Sequence, residues 1–105
     1  MALTKEFKET VKARAERDPA FREALLAEAL QLLIEGDIDT GKAVLRNYIN
    51  ATIGFEELAA GVDKPSPSLM RMFSEKGNPR ADNLFSVIQH LQKATGVNLA
   101  VKVAS

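Results

Sequence analysis

The sequence has 105 residues, the length of one domain, since most domains run from about 50 to 200 residues. Lys and Arg total 14, Asp and Glu also total 14, and 46% of the residues are hydrophobic, a balance typical of a globular protein and not of a disordered or fibrous one. The absence of Cys excludes disulfides and thiolate metal sites. With a single His, we expect neither a structural metal nor a cofactor.

The two halves of this neutral chain differ in charge. Residues 1–39 contain six basic and nine acidic residues, whereas residues 40–105 contain eight basic and five acidic ones. A basic region can approach phosphate, whereas an acidic helical region suits a basic protein surface. No apolar run approaches the roughly eighteen residues that span a bilayer, and the first ten residues lack an apolar signal core. We therefore expect a cytoplasmic protein that does not contact a membrane.

The N-terminal residues predict two helices, which form an extension over residues 1–38. Leu3, Phe7 and Val11 recur every fourth residue and form one stripe of the first helix. Asp18 is the predicted N-cap of the second helix, whose apolar face is wide enough to need cover on two sides. That face comprises Phe21, Leu25, Leu26, Ala29, Leu30, Leu32, Leu33 and Ile34.

Residues 39–96 predict four further helices, separated by residues that break helices. Asp39 or Thr40 is expected to cap the first of them, the second occupies the short segment 55–62, and Ser66 is expected to cap the third. Their inward-facing residues are Val44, Leu45, Tyr48, Ile49, Leu58, Leu69, Phe73, Leu84, Val87, Ile88 and Leu91.

The last residues, 97–105, change to the two-residue period of a strand. Val97, Leu99, Val101 and Val103 alternate with polar or small residues, which is typical of a half-buried strand. No other segment offers a strand to pair with it. We therefore predict a homodimer in which the same strand of a second copy pairs antiparallel across a two-fold axis. The alternative is a frayed C-terminus.

The short helices around residues 55–74 have the spacing of a helix-turn-helix, in which the second helix enters the major groove of DNA. Leu58 and Ala59 lie on the first helix, and Leu69 and Arg71 lie on the second. Leu69 follows Leu58 by eleven residues. Without this register, a solvated face would be the favoured explanation of Arg71 and of the lysines near it; with the register, the pattern favours DNA binding.

At these residues the sequence resembles the lambda-repressor-like helix-turn-helix family, and more closely the addiction-module antidote regulators of the HigA type. The resemblance covers about residues 44–103 and is carried by Leu58-Ala59, Ser68 to Phe73, Gly77-Asn78-Pro79 and Asn83-Leu84-Phe85. The chain departs from the family pattern at Asp63, where Gly is usual, and at Pro65, where Ser is usual. The resemblance implies an all-α helix-turn-helix bundle, here with extra N-terminal helices and a short C-terminal dimerising strand.

The resemblance also implies which residues contact DNA. Its base-reading positions are Ser66, Pro67, Ser68, Met70 and Arg71. Arg71 can donate two hydrogen bonds to guanine, whereas Pro67 and Met70 offer apolar contact to a thymine methyl group. Phosphate contacts are expected from the residues that bracket the helix, Lys64, Lys76, Asn78 and Arg80. With one strong base reader per half-site, we expect half-site spacing in a palindromic operator and DNA shape to add specificity.

Antidote regulators repress their own operon and bind a toxin, so the resemblance implies a small basic toxin as partner. The expected toxin surface is the acidic helical region 3–34, with Phe7, Phe21, Leu26 and Leu30. Packing within the chain is the alternative for these four side chains. A helical protein-interaction module that does not bind DNA is the alternative function.

Catalysis is not predicted. Residues 36–43 match the phosphate-loop pattern G-x-x-x-x-G-K except at Ala43, where Ser or Thr should bind magnesium, and a helix precedes them where a strand is required. A helix cap and a loop explain the match better. His90, beside Leu91 on the last helix, is interpreted as a surface or core-edge residue. The sequence therefore offers no nucleophile with a base beside it.

Overall fold

A computed structural model describes residues 5–104, and the protein is all-α over that range. The described helices are α1 (Lys5–Arg17), α2 (Pro19–Ile34), α3 (Ile38–Ala51), α4 (Gly54–Val62), α5 (Ser66–Met72) and α6 (Ala81–Thr95). The predicted helical class is thus confirmed. None of these helices has the length and apolar character that crossing a membrane requires.

The boundary between α1 and α2 follows the prediction. The Asp18 carboxylate accepts a hydrogen bond from the Phe21 N–H at 3.2 Å, and Pro19 occupies the first helical position. This cap satisfies one of the donors that a helix start leaves unpaired. Gly36 follows the end of α2 with φ of 91°, a left-handed conformation that glycine adopts at little cost.

Two predicted caps are shifted along the chain. The carboxylate of Asp37, and not Asp39 or Thr40, caps α3 by accepting from the Thr40 N–H at 3.3 Å. Asp39 therefore lies in the first turn of α3, where the helix dipole favours negative charge. Ser66 is the first residue of α5 and Pro65 precedes it as the N-cap. The extended backbone of Pro65, with φ −63° and ψ 138°, supplies the cap geometry one residue before the predicted position.

One hydrophobic core is assembled around α3, which packs against α1, α2 and α4. Leu45, Tyr48 and Ile49 of α3 are completely buried. The other buried core residues are Leu26, Ala29, Phe55, Leu58, Leu69, Phe73, Val87, Ile88, Leu91 and Val97. Since Leu26 and Ala29 belong to α2, the extension predicted over residues 1–38 shares its core with the helices that follow.

The predicted C-terminal strand is not seen in residues 97–104, which form neither helix nor strand. Val97 is buried in the chain's own core, so the prediction of Val97 as a dimer-interface residue is wrong. Leu99 packs against the core, and its N–H donates to the Gln92 Oε1 at 2.8 Å. Val101 and Val103 are 94% and 91% exposed. A strand requires backbone hydrogen bonds from a second strand, and none lies beside this segment within the described chain.

Candidate nucleic-acid interface

The turn between α4 and α5 consists of residues 63–65. Asp63 ends α4 in the left-handed conformation, with φ 54° and ψ 51°, and the Lys64 N–H donates to the Ala59 carbonyl at 3.1 Å. Asp is one of the few residues besides Gly that enter this conformation readily. The turn therefore forms with Asp63 and Pro65 in place of the Gly and Ser that the family pattern contains.

The inner face of α5 is fixed in the core. Leu69 and Phe73 are 0% and 1% exposed, and Leu58 of α4 is buried with them. The rings of Phe55 and Phe73 pack at a tilt, with centroids 6.1 Å apart. These contacts join α5 to α4 and determine which residues of α5 face outward.

The outer face of α5 contains the predicted base-contact residues. Pro67, Met70 and Arg71 are exposed, whereas Ser66 and Ser68 are half-buried. The Arg71 Nη2 lies 3.4 Å from the Ser68 Oγ, a long contact between exposed groups that leaves the other guanidinium donors free for a ligand. The structure thus brings all five residues onto one short helix.

The predicted phosphate-contact residues lie on either side of α5. Lys64 is half-buried in the turn before it, whereas Lys76, Asn78 and Arg80 are exposed in the segment after it. The Arg80 Nε lies 3.4 Å from the Asp82 Oδ1, with both side chains largely exposed, so this ion pair is weak and open to exchange with another anion.

Neither a protein-family model, nor a curated protein, nor a solved structure matches this chain. The link to helix-turn-helix regulators is therefore a resemblance, carried by the residues quoted above.

Sequence reasoning missed Lys42 as a residue of this region. Its side chain is buried in the core side of α3, and its Nζ donates to the carbonyls of Ser74 and Gly77 at 3.1 and 2.5 Å. The available signal was spacing, because Lys42 lies three and seven residues before Leu45 and Ile49 and hence on the same buried face. The same contact gives a structural role to the Lys in the phosphate-loop-like pattern of residues 36–43.

Gly77 lies directly against the end of α5. A Cβ at this position would be 2.1 Å from the Arg71 carbonyl oxygen and 2.6 Å from that of Met72. Since both obstacles are backbone atoms, no other residue fits without moving the segment. The close approach fixes the path of the chain between Ser74 and Asn78.

The predicted toxin surface is not assembled as expected. Leu26 is completely buried and Leu30 packs against the core, so the prediction of Leu26 as a contact residue is wrong. Phe21 is half-buried beneath the Arg14 guanidinium, which lies 4.6 Å from its ring centroid. The side chain of Phe7 lies outside the described part of the structure. The apolar side of α2 mostly serves the chain's own core.

His90 occupies the edge of the core, as its sequence context suggests. It is half-buried against Gly61, where a Cβ would lie 2.1 Å from the imidazole Nε2. Ser86, Gln89 and Lys93 line the same polar pocket. His90 thus packs α6 against the end of α4.

Proposed function

We propose that the protein is a sequence-specific DNA-binding regulator in which α4 and α5 form a helix-turn-helix and α5 enters the major groove. One observation supports this most directly: buried Leu69, and buried Phe73 at the C-cap, hold α5 against the core, while Met70 and Arg71 on the other side of the helix are exposed. Base recognition requires a rigidly held helix whose outward side chains can reach base edges.

The side chains divide into two roles. Arg71 donates to guanine, and Pro67 and Met70 supply apolar contact beside it. Lys64, Lys76, Asn78 and Arg80 contact phosphates and orient the helix without reading sequence. Loss of a base contact should weaken binding to the specific duplex alone, whereas loss of a phosphate contact should weaken binding to specific and random DNA alike.

The test is fluorescence anisotropy with a duplex from the region upstream of the protein's own coding sequence and with a scrambled duplex, over a salt series. We expect the wild type to prefer the upstream duplex. Arg71→Ala should lose about 1–3 kcal/mol on that duplex and little on the scrambled one. Arg17→Ala, an exposed arginine on α1, is the matched control and should bind like the wild type.

Two outcomes would contradict the proposal. Absence of binding to either duplex at low salt would favour a protein-interaction module without DNA binding. Equal losses for Arg71→Ala on both duplexes would remove Arg71 from base reading and make it a phosphate contact.

We also propose that the protein acts as a homodimer through its C-terminal segment. Val97 and Leu99 anchor the segment on the core, and Val101 and Val103 continue the same alternation without cover. A second copy paired antiparallel would bury them and supply backbone partners. Two helix-turn-helix units would then read half-sites about 34 Å apart on a palindromic operator.

Sedimentation analysis of wild type and of the double variant Val101→Asp, Val103→Asp tests the dimer. Because both valines are almost fully exposed in the single chain, the variant should remain folded and become monomeric. Ala100→Asp, on the opposite side of the predicted strand, is the control. A stable dimer in the double variant would refute this interface.

The resemblance extends the proposal to an antitoxin that represses its own operon and binds a small basic toxin. The exposed acidic residues of α1 and α2, including Glu16 and Glu23, suit a basic protein surface. Reversing these two charges to Lys should weaken binding to a toxin encoded beside the gene and leave DNA binding unchanged, as measured by calorimetric titration. Unchanged toxin affinity would reject this surface. Asp18 is spared because it caps α2.

A further inference from the structure

We infer that Lys42 is a positioning residue for DNA contact: it holds the turn of residues 74–77 and thereby presents Lys76 and Asn78 to the phosphate backbone. This inference rests on the proposed DNA-binding function. It gives a role to a residue that lies outside the helix-turn-helix segment, on α3.

The first step is the environment of the ammonium group. Lys42 is 3% exposed, and a buried charge is costly unless its donors are satisfied. Its Nζ donates to the carbonyls of Ser74 and Gly77, which are 32 and 35 residues away in sequence. The nearest carboxylate oxygen of Asp39 is 4.0 Å away on an exposed side chain. The turn, more than a carboxylate, therefore stabilises the charge.

The second step is what else holds the turn. The Ser74 N–H and Oγ donate to the Arg71 carbonyl at 3.2 and 2.7 Å, and the Gly77 N–H donates to the Ser74 carbonyl at 3.0 Å. These bonds lie within the turn and the end of α5. Among the described residues, the hydrogen bonds that reach the turn from another helix come from Lys42.

The third step concerns the two contact residues. Lys76 lies between the two carbonyls that Lys42 binds, and Asn78 directly follows the second of them. Both side chains are exposed. The backbone of Gly77 is pressed against the end of α5 from one side and bound by Lys42 at its carbonyl. The directions of Lys76 and Asn78 are therefore set by a contact with α3.

The experiment compares wild type with Lys42→Met, which keeps a similar side-chain length and removes the donors. Lys12→Met, on the exposed side of α1, is the matched control. Two quantities are measured: amide hydrogen exchange over residues 74–78, and the salt dependence of binding to the upstream and scrambled duplexes. Lys42→Gln, which retains a donor, is the second variant.

We expect Lys42→Met to fold, with faster exchange in the turn than in wild type or the control. Binding should weaken equally on both duplexes, and the slope of log K against log salt should fall by about one, since each phosphate contact contributes about 0.9. The preference for the upstream duplex, which depends on Arg71, should be retained. A purely structural role would lower thermal stability and leave the slope unchanged.

The outcomes separate this inference from the proposed function. If the wild type prefers the upstream duplex but Lys42→Met has the same salt slope as the wild type, or the same protection of residues 74–78 from hydrogen exchange, the inference is overturned. The proposed function would stand in that case. Wild type that binds neither duplex would overturn the proposed function, and the role of Lys42 in DNA contact with it. Global unfolding of both position-42 variants would make Lys42 a requirement of the whole fold and overturn a role confined to the turn.

Discussion

The apolar side of α2 and the outer face of α5 are both expected from the sequence to meet a partner, yet the fold treats them differently. On α2, Leu26 is completely buried and Leu30 packs against the core. On α5, Met70 is 55% exposed and Arg71 is exposed as well. One surface is largely used by the chain itself, whereas the other is left for a ligand.

The difference shows which kind of pattern identifies a binding surface. Apolar residues at helical spacing are stabilised by any contact that removes their surface from water, and the core of the same chain offers such a contact. The outer residues of α5 are placed by a register with buried residues: Arg71 follows buried Leu69 by two residues and so lies on the opposite side of the helix, where it is exposed. A charged residue placed opposite the buried face is therefore the better guide, whereas Lys42, which shares the buried face of α3, is taken into the fold.

The sharpest challenge to this comparison is Leu26→Ala. If Leu26 belongs to the core, the substitution should lower the free energy of unfolding by about 2–5 kcal/mol, measured by urea denaturation. Ile34→Ala, at a residue of α2 that is 70% exposed, is the control and should change stability by less than about 0.5 kcal/mol. Equal effects of the two substitutions would remove the distinction between core and surface on α2.

Arg71→Ala and Lys76→Ala test the α5 side of the comparison. Neither should change the free energy of unfolding by more than about 0.5 kcal/mol, because both side chains are exposed. On DNA, Arg71→Ala should cost about 1–3 kcal/mol on the upstream duplex alone. Lys76→Ala should weaken both duplexes alike and lower the salt slope by about one. An unfolding defect in Arg71→Ala would show that its face is structural.

Asp18→Ala tests how much the N-cap hydrogen bond of α2 contributes to the stability of the protein. Loss of the N-cap hydrogen bond to the Phe21 N–H should cost about 0.5–2 kcal/mol of stability. The ion pair between Arg14 and Asp18 adds little, because both side chains are partly exposed. Thermal unfolding of this variant beside Glu57→Ala, an exposed first-turn carboxylate of α4, a helix without a side-chain cap hydrogen bond, provides the measurement. A cost no larger than that of Glu57→Ala would contradict the capping role.

Tyr48→Phe probes the core beneath both regions. The Tyr48 hydroxyl and the Thr95 Oγ1 are 2.6 Å apart, so the substitution should cost about 1 kcal/mol at neutral pH. Burial raises the pKa of Tyr48, against an opposing effect of the Thr95 hydrogen bond. Since the unfolded tyrosine ionises near pH 10 and the folded one only at higher pH, the wild type loses stability as pH rises above about 10. The advantage of wild type over Tyr48→Phe should therefore shrink in urea titrations above that pH; a constant difference would contradict it.

Local rules of the sequence predicted much of the fold. The cap at Asp18 and the left-handed glycines at residues 36 and 96 depend on a few neighbouring residues, so they are visible without the structure. The inward faces of α3 and α6 also follow from periodicity, because Leu45, Ile49, Val87 and Leu91 are all completely buried.

Features that depend on distant parts of the chain were not predicted. The partners of Lys42 lie more than thirty residues away, and the pattern of α2 alone does not say which of its leucines meets α3. Phe85 is 60% exposed although it is apolar, and the tail shows the alternation of a strand without a neighbour to make it one. In each case the sequence shows the side chain but not what it meets.

The link from Lys42 to the turn after α5 also has a consequence for how the chain folds. Helices adjacent in sequence pack on each other, α2 with α3, α3 with α4 and α4 with α5, and such local contacts form quickly. The bonds from Lys42 to Ser74 and Gly77 and the bond between Tyr48 and Thr95 close much longer loops of 32, 35 and 47 residues. Because closing a longer loop costs more entropy, we expect these links to form last. The turn that contains Lys76 is then completed at the end of folding, after α5 has packed on α4.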